Sequence, residues 1–201
     1  MSNTKTIEFY FDFGSPSSYL AWTQLPAIAA EFDARLVYRP VLLGAIHKAT
    51  GNASPAAIPA KSAWMQQDLE RFARLYRVPF RQNPFFPINT LALMRGATAT
   101  QMQDDTLFQR YLAVVFNAMW AEPRNLGDLA VLQAVLCDGG IDFERIAAAT
   151  QNPLVKEKLR TDTDEAIGRG LFGAPTMFVG DAMFFGQDRL NFVRDELRND
   201  A

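Results

Sequence analysis

Ser15, Ser17 and Ser18 cluster behind an apolar run, with Gly14 and Pro16 flanking the first of them. The spacing reads as a strand that stops in a tight turn and opens a helix with hydroxyls at its mouth. Gly14 breaks the strand, Ser15 stands at the N-cap position, and Pro16 fits the first helical position. First-turn amides lack a helical partner and carry the positive end of the helix dipole. An anion is favoured there, a thiolate included. Local sequence also allows a simpler role for Ser15, because serine caps helices in general.

Few other residues point to chemistry. His47 is the single histidine, which excludes a His-rich metal cluster and leaves no second histidine for an acid–base pair. Cys137 is the single cysteine, so no intramolecular disulfide can form. It ends an apolar helical stretch and reads as a small buried hydrophobe. No metal is expected.

The elements that must position these residues come in an uneven order. Residues 7–13 form a strand interrupted only by Glu8 and Asp12, apolar enough for a central place in a sheet. Residues 19–32 then repeat apolar side chains at helical spacing, with a kink expected at Pro26. A second strand at 35–42 completes a βαβ unit, which brings strand ends and helix start to one side. A Pro- and Ala-rich loop follows at 51–59, and residues 61–168 read as helices throughout. The first is marked by Trp64, Leu69, Phe72, Leu75 and Tyr76. Later ones start at Asn89 or Thr90, and at Asp104 or Asp105, the latter running to Trp120. Three more fall at 129–136, 143–149 and 153–167.

Strand signals return at 173–179 and 182–185 around Gly180 and Asp181, a hairpin. A last helix uses Leu190, Val193 and Leu197 as its inner face. The order predicts an α/β protein, a thioredoxin-like domain with an inserted all-helical domain. Residues 1–45 and 170–201 would form the first and residues 46–169 the second. Pro175 precedes the third strand, where a cis peptide would turn the backbone of Ala174 toward a ligand.

Length allows one large domain or one domain with an insertion. Of 201 residues, 49% are hydrophobic and 21% charged, enough to bury a sizeable core. A net charge of −2 gives no reason to expect nucleic acid as a partner. Residues 2–6 run straight into the first strand without an apolar segment, so no signal peptide is expected. No run approaches the length of a membrane span, so no membrane partner is expected. A cytoplasmic enzyme is the expectation.

Four motifs occur in order: FDFGSPSSYL at 11–20, KATGN at 48–52, FGAPTMF at 172–178 and FGQDRL at 185–190. Together they resemble the 2-hydroxychromene-2-carboxylate isomerase family, the bacterial branch of the kappa-class glutathione transferases and kin to Dsb-type oxidoreductases. The resemblance implies glutathione as cofactor, a small aromatic carboxylate as substrate, and a homodimer. It makes Ser15 the catalytic residue, its hydroxyl bonded to the glutathione sulfur. Only a few per cent of a free thiol is ionised near neutrality, so a hydroxyl donor and helix amides would favour the thiolate. The resemblance also assigns cofactor contacts to Asn52, to the backbone of Ala174 ahead of Pro175, and to Gln187 and Asp188. On the substrate side, His47 stands where the family has a carboxylate-binding lysine, and Lys48 is its neighbour. Phe86 stands near a family tyrosine that this chain lacks.

The implied reaction is reversible addition of the thiolate to an electron-poor carbon, ring opening, bond rotation and elimination of glutathione. A kappa-like transferase or peroxidase shares the same contacts and is the alternative. A non-catalytic glutathione- or peptide-binding module is a second. Disulfide exchange is set aside on chemistry, since the redox pair would fall at Ser15 and Ser18 and hydroxyls do not exchange.

Overall fold

The computed structural model describes residues 5–199. Residues 2–4, part of the stretch read above as no signal peptide, lie outside the described residues. Strand β1 (Thr6–Phe11) buries Ile7, Phe9 and Phe11 on one face and Tyr10 on the other. It runs parallel to β2 (Arg35–Pro40), which requires a crossover, and α1 (Pro16–Glu31) supplies it. The helix runs through Pro26 without a break. On the other side β1 pairs antiparallel with β3 (Thr176–Val179), and β3 with β4 (Ala182–Phe185), giving the order β2-β1-β3-β4. The fold is the expected thioredoxin-like α/β arrangement.

Between β2 and β3 the chain is helical. It forms α2 (Leu43–Thr50), α3 (Pro59–Tyr76), α4 (Leu91–Gln103), α5 (Asp105–Phe116), α6 (Leu129–Asp138), α7 (Phe143–Gln151) and α8 (Pro153–Gly168). Several begin where a short polar side chain takes a first-turn amide. Asp104 accepts from the Leu107 N–H at 2.7 Å and Asp142 from the Arg145 N–H at 3.1 Å. The chain closes with α9 (Leu190–Asn199), whose buried side chains are Leu190, Val193 and Leu197, as expected.

One apolar cluster joins β1, α1 and α9 to α4, α5 and Trp120. Phe116 packs its ring 4.7 Å from Phe13 and 5.7 Å from Phe11. The other face of the sheet, Tyr10 and Phe178, packs against Ile46 of α2 and Ala166 of α8. Covering both faces suits a parallel β1–β2 pair.

Several expectations are corrected. β2 ends at Pro40, and α2 occupies a segment where no helix was expected. Ile46 is its one buried residue, so it shows little apolar repeat, and Gly51 stops it in the left-handed region at φ 68°. The helix expected to run to Trp120 ends at Phe116 and widens into a π turn (Asn117–Ala121). Trp64 and Leu75, two of the apolar markers of α3, are 61% and 69% exposed. Cys137 is also exposed rather than buried. Helix α6 buries Leu132, Val135 and Leu136, and the helical turn carries the next residue round to solvent.

Candidate active site

Ser15 caps α1: its Oγ accepts the Ser18 N–H at 3.1 Å and donates to the Ala174 carbonyl at 2.8 Å. The second bond ties the start of α1 to the turn before β3, where the Ala174–Pro175 peptide is cis. Ser15 is 5% exposed. The turn holding it is fastened from all sides. Trp120 donates its indole N–H to the Phe13 carbonyl at 2.8 Å, and the Phe13 N–H meets the Met94 sulfur at 3.4 Å. Asp12 accepts the Gly14 N–H at 2.8 Å and the Leu43 N–H at 2.9 Å, one on each carboxyl oxygen.

A cavity of about 640 Å³ is lined by this turn. Asp12, Ser15, Ser17 and Ala174 form its sheet side, with Phe172 and Phe185 at 4.6 Å from one another. Its helix side comes from α2, the loop after it, Met65 of α3, and Phe86 to Leu91. Three helices begin on the cavity, at residues 15–17, 43–45 and 89–91. The lining residues include no Lys or Arg, so positive potential comes from helix starts rather than fixed cations. Among the described residues, no group of His, Cys, Asp and Glu could hold a metal ion.

Two titratable side chains line the space. Burial pushes the Asp12 carboxyl above its usual range, against hydrogen bonds from Gly14, Leu43 and Thr90. Burial lowers the His47 imidazole, against the pull of the Asp12 charge. At both, burial works against the charged form.

A DSBA-like thioredoxin domain model matches residues 6–198. The chain belongs to that family. It is 33% identical over 196 residues to a 2-hydroxychromene-2-carboxylate isomerase of Sphingobium xenophagum, covering 96% of this chain and 98% of the relative. A glutathione S-transferase kappa 1 of Homo sapiens is 25% identical over 94% of this chain and 89% of its own. A solved 2-hydroxychromene-2-carboxylate isomerase superposes with a TM-score of 0.86 at 30% identity, over 96% of this chain and 95% of that one. The isomerases at this level of identity place the chain within their branch of the DSBA-like family. No helix among the described residues is long and apolar enough to cross a membrane.

Against this family frame, Ser15, Asn52, Ala174, His47 and Phe86 all line the cavity. Asn52 spends its side chain on the protein: its Nδ2 donates to the Phe172 carbonyl and its Oδ1 accepts the Ala53 N–H, both at 2.8 Å. Lys48 does not join them. It lies on the exposed side of α2, one residue past the position that reaches the cavity. Gln187 is buried and Asp188 exposed just beyond the rim residue Phe185, and neither lines the cavity. The Gln187 carbonyl accepts the Tyr76 hydroxyl at 2.6 Å, and Asp188 pairs with Arg189 at 2.7 Å.

Sequence reasoning missed Asp12, Thr90 and Trp120. Asp12 offered a signal, a carboxyl inside an otherwise apolar strand end. Trp120 offered none, since its indole reaches Phe13 across 107 positions of sequence. Of the hydroxyls, Ser17 faces the cavity and Ser18 does not. The Ser18 Oγ is buried with no hydrogen-bond partner among the described residues.

Proposed function

We propose that this protein is a glutathione-dependent isomerase acting on 2-hydroxychromene-2-carboxylate or a related conjugated intermediate. The observation that carries the reading is the Ser15 hydroxyl, at the start of α1 and on the cavity wall, with no cysteine beside it. The donor set fits a thiol-bearing peptide. Ser15 can turn its proton from the Ala174 carbonyl toward a sulfur. The Ser17 hydroxyl and the Ala174 N–H have no partner among the described residues and lie on the same wall. A peptide backbone alongside Ala174 would find that N–H as a strand edge offers it.

When bound, glutathione would supply a thiolate, a nucleophile that adds to an electron-poor carbon and leaves again after rotation about the weakened bond. The protein's part is to favour the anion and fix its position. Ser15 donates to it, and the positive end of the α1 dipole biases the thiol toward ionisation. Asn52 holds the loop that borders the peptide. Ala174, held ahead of Pro175, presents backbone to it, and Gln187 and Asp188 beyond the rim receive its γ-glutamyl end. His47 and Phe86 face the substrate. The same reading carries a homodimer, which light scattering tests. The deciding assay follows chromene carboxylate isomerisation with and without glutathione, beside calorimetric titration of glutathione. Turnover that is unchanged without glutathione sinks the proposal.

A second reading is favoured by the absence of Lys and Arg from the lining residues. His47 is the one lining side chain able to bring a positive charge to a substrate carboxylate, and burial shifts its imidazole toward the neutral form. A kappa-like transferase for an uncharged electrophile suits that wall. Glutathione conjugation of an uncharged aryl halide, faster than isomerisation of the carboxylate, would select it.

A further inference from the structure

We infer that Asp12 is a positioning residue whose carboxyl holds the Ser15 turn in register with α2 and α4, so that the two walls of the cavity keep one separation. The inference rests on the reading of Ser15 as the donor to a thiolate. Asp12 is 2% exposed, and no Lys or Arg pairs with it among the described residues. One carboxyl oxygen accepts the Gly14 N–H and the other the Leu43 N–H, at 2.8 and 2.9 Å. The Thr90 side chain stands beside the same carboxyl and works against its raised pKa. Gly14 is in the turn, Leu43 opens α2, and Thr90 is the N-cap of α4. All three line the cavity.

Two oxygens at one carbon are what this junction needs. An amide has one oxygen and would set its NH₂ against the other N–H. A buried carboxyl without a cation is costly, and its raised pKa reflects that cost. His47 on α2 is the one titratable side chain that acts on it electrostatically. From Asp12 to Ser15 the path is short, because the Ser15 N–H donates to the Asp12 carbonyl at 3.0 Å. A shift of the carboxyl therefore moves the Ser15 hydroxyl.

The test uses Asp12→Asn and the milder Thr90→Val, each full length. The readouts are kcat, KM for glutathione, and the thiol pKa of bound glutathione, followed by thiolate ultraviolet absorbance in the binary complex. In Asp12→Asn we expect kcat to fall about tenfold or more while KM for glutathione stays within about threefold. The bound thiol pKa should rise toward its free value. Thr90→Val should move both in the same direction by less. A folded Asp12→Asn with unchanged kcat and thiol pKa overturns the inference. If that variant does not fold, an unchanged thiol pKa in Thr90→Val overturns it. A wild-type complex whose thiol titrates as in free solution overturns the Ser15 reading instead.

Discussion

The two walls of the cavity are built on different principles. The sheet-side wall is buried around Asp12, Phe13 and Ser15, where hydrogen bonds from distant elements close it. The helix-side wall is loops and the starts of α2 and α4, with apolar side chains such as Met65 and Ile88 facing the cavity. A reacting sulfur must be held to fractions of an ångström, which demands a locked turn. Substrate recognition needs shape, and a loop-borne wall can change shape without disturbing the core. Chemistry is fixed on one side and choice on the other.

The largest break in that contrast comes from Ser15→Ala. On the sheet side it should cost turnover far more than affinity: kcat down about 100-fold, with glutathione affinity within about threefold. The lost cap should also lower stability by about 1 kcal/mol. Steady-state kinetics beside calorimetry separates the effects, and equal turnover would remove Ser15 from the chemistry. On the helix side, Phe86→Ala should do the reverse. Its ring lies 5.9 Å from Trp120 and borders the cavity, so its loss should raise KM for an aromatic substrate about tenfold and leave glutathione affinity alone. Should glutathione affinity fall equally, the division between walls fails.

Asn52→Ala tests the seam between them. Its side chain ties the loop after α2 to Phe172. Losing that bond should weaken glutathione by about 1 kcal/mol, a few-fold in calorimetric Kd. A smaller effect belongs to pH. Burial raises the folded-state pKa of Asp12 above its unfolded value, so the protonated form favours the folded state. Its contribution is fully present below the unfolded pKa and is lost as pH rises through the folded one. Denaturant midpoints of wild type relative to Asp12→Asn should therefore fall as pH rises through the carboxylate range. A difference that grows with pH would reverse the sign and contradict the burial argument.

The same contrast explains what could be read from sequence. The sheet side was legible because local rules govern it: Gly14, Ser15 and Pro16 stop a strand and start a helix, and Leu190, Val193 and Leu197 repeat at helical spacing. Asp104, one of two candidate starts in the sequence, caps its helix for the same reason, and Asp128 and Asp142 cap theirs. What stayed hidden is long-range. Nothing local says that Asp12 will accept from Leu43, or that Trp120 will reach Phe13. Short α2, with one buried residue, offered too little pattern to be seen. The different places of Lys48 and His47 follow from that helix, whose turn sends Lys48 to solvent while His47 reaches the cavity.

Cys137 supplies the smallest expected effect and a demanding test of the borrowed-thiol reading. Its side chain is exposed on α6 and does not line the cavity. If glutathione supplies the reacting sulfur, the chain's own sulfur is dispensable. Cys137→Ser should then leave kcat and KM within about twofold and stability within about 0.5 kcal/mol, as for an exposed site without partners. Alkylation of the wild-type thiol, followed by mass spectrometry and assay after removal of the reagent, should agree. An exposed thiol reacts readily, so the modification itself is not in question. Loss of turnover in both experiments would return the sulfur to the protein, and Ser15 would revert to a helix cap.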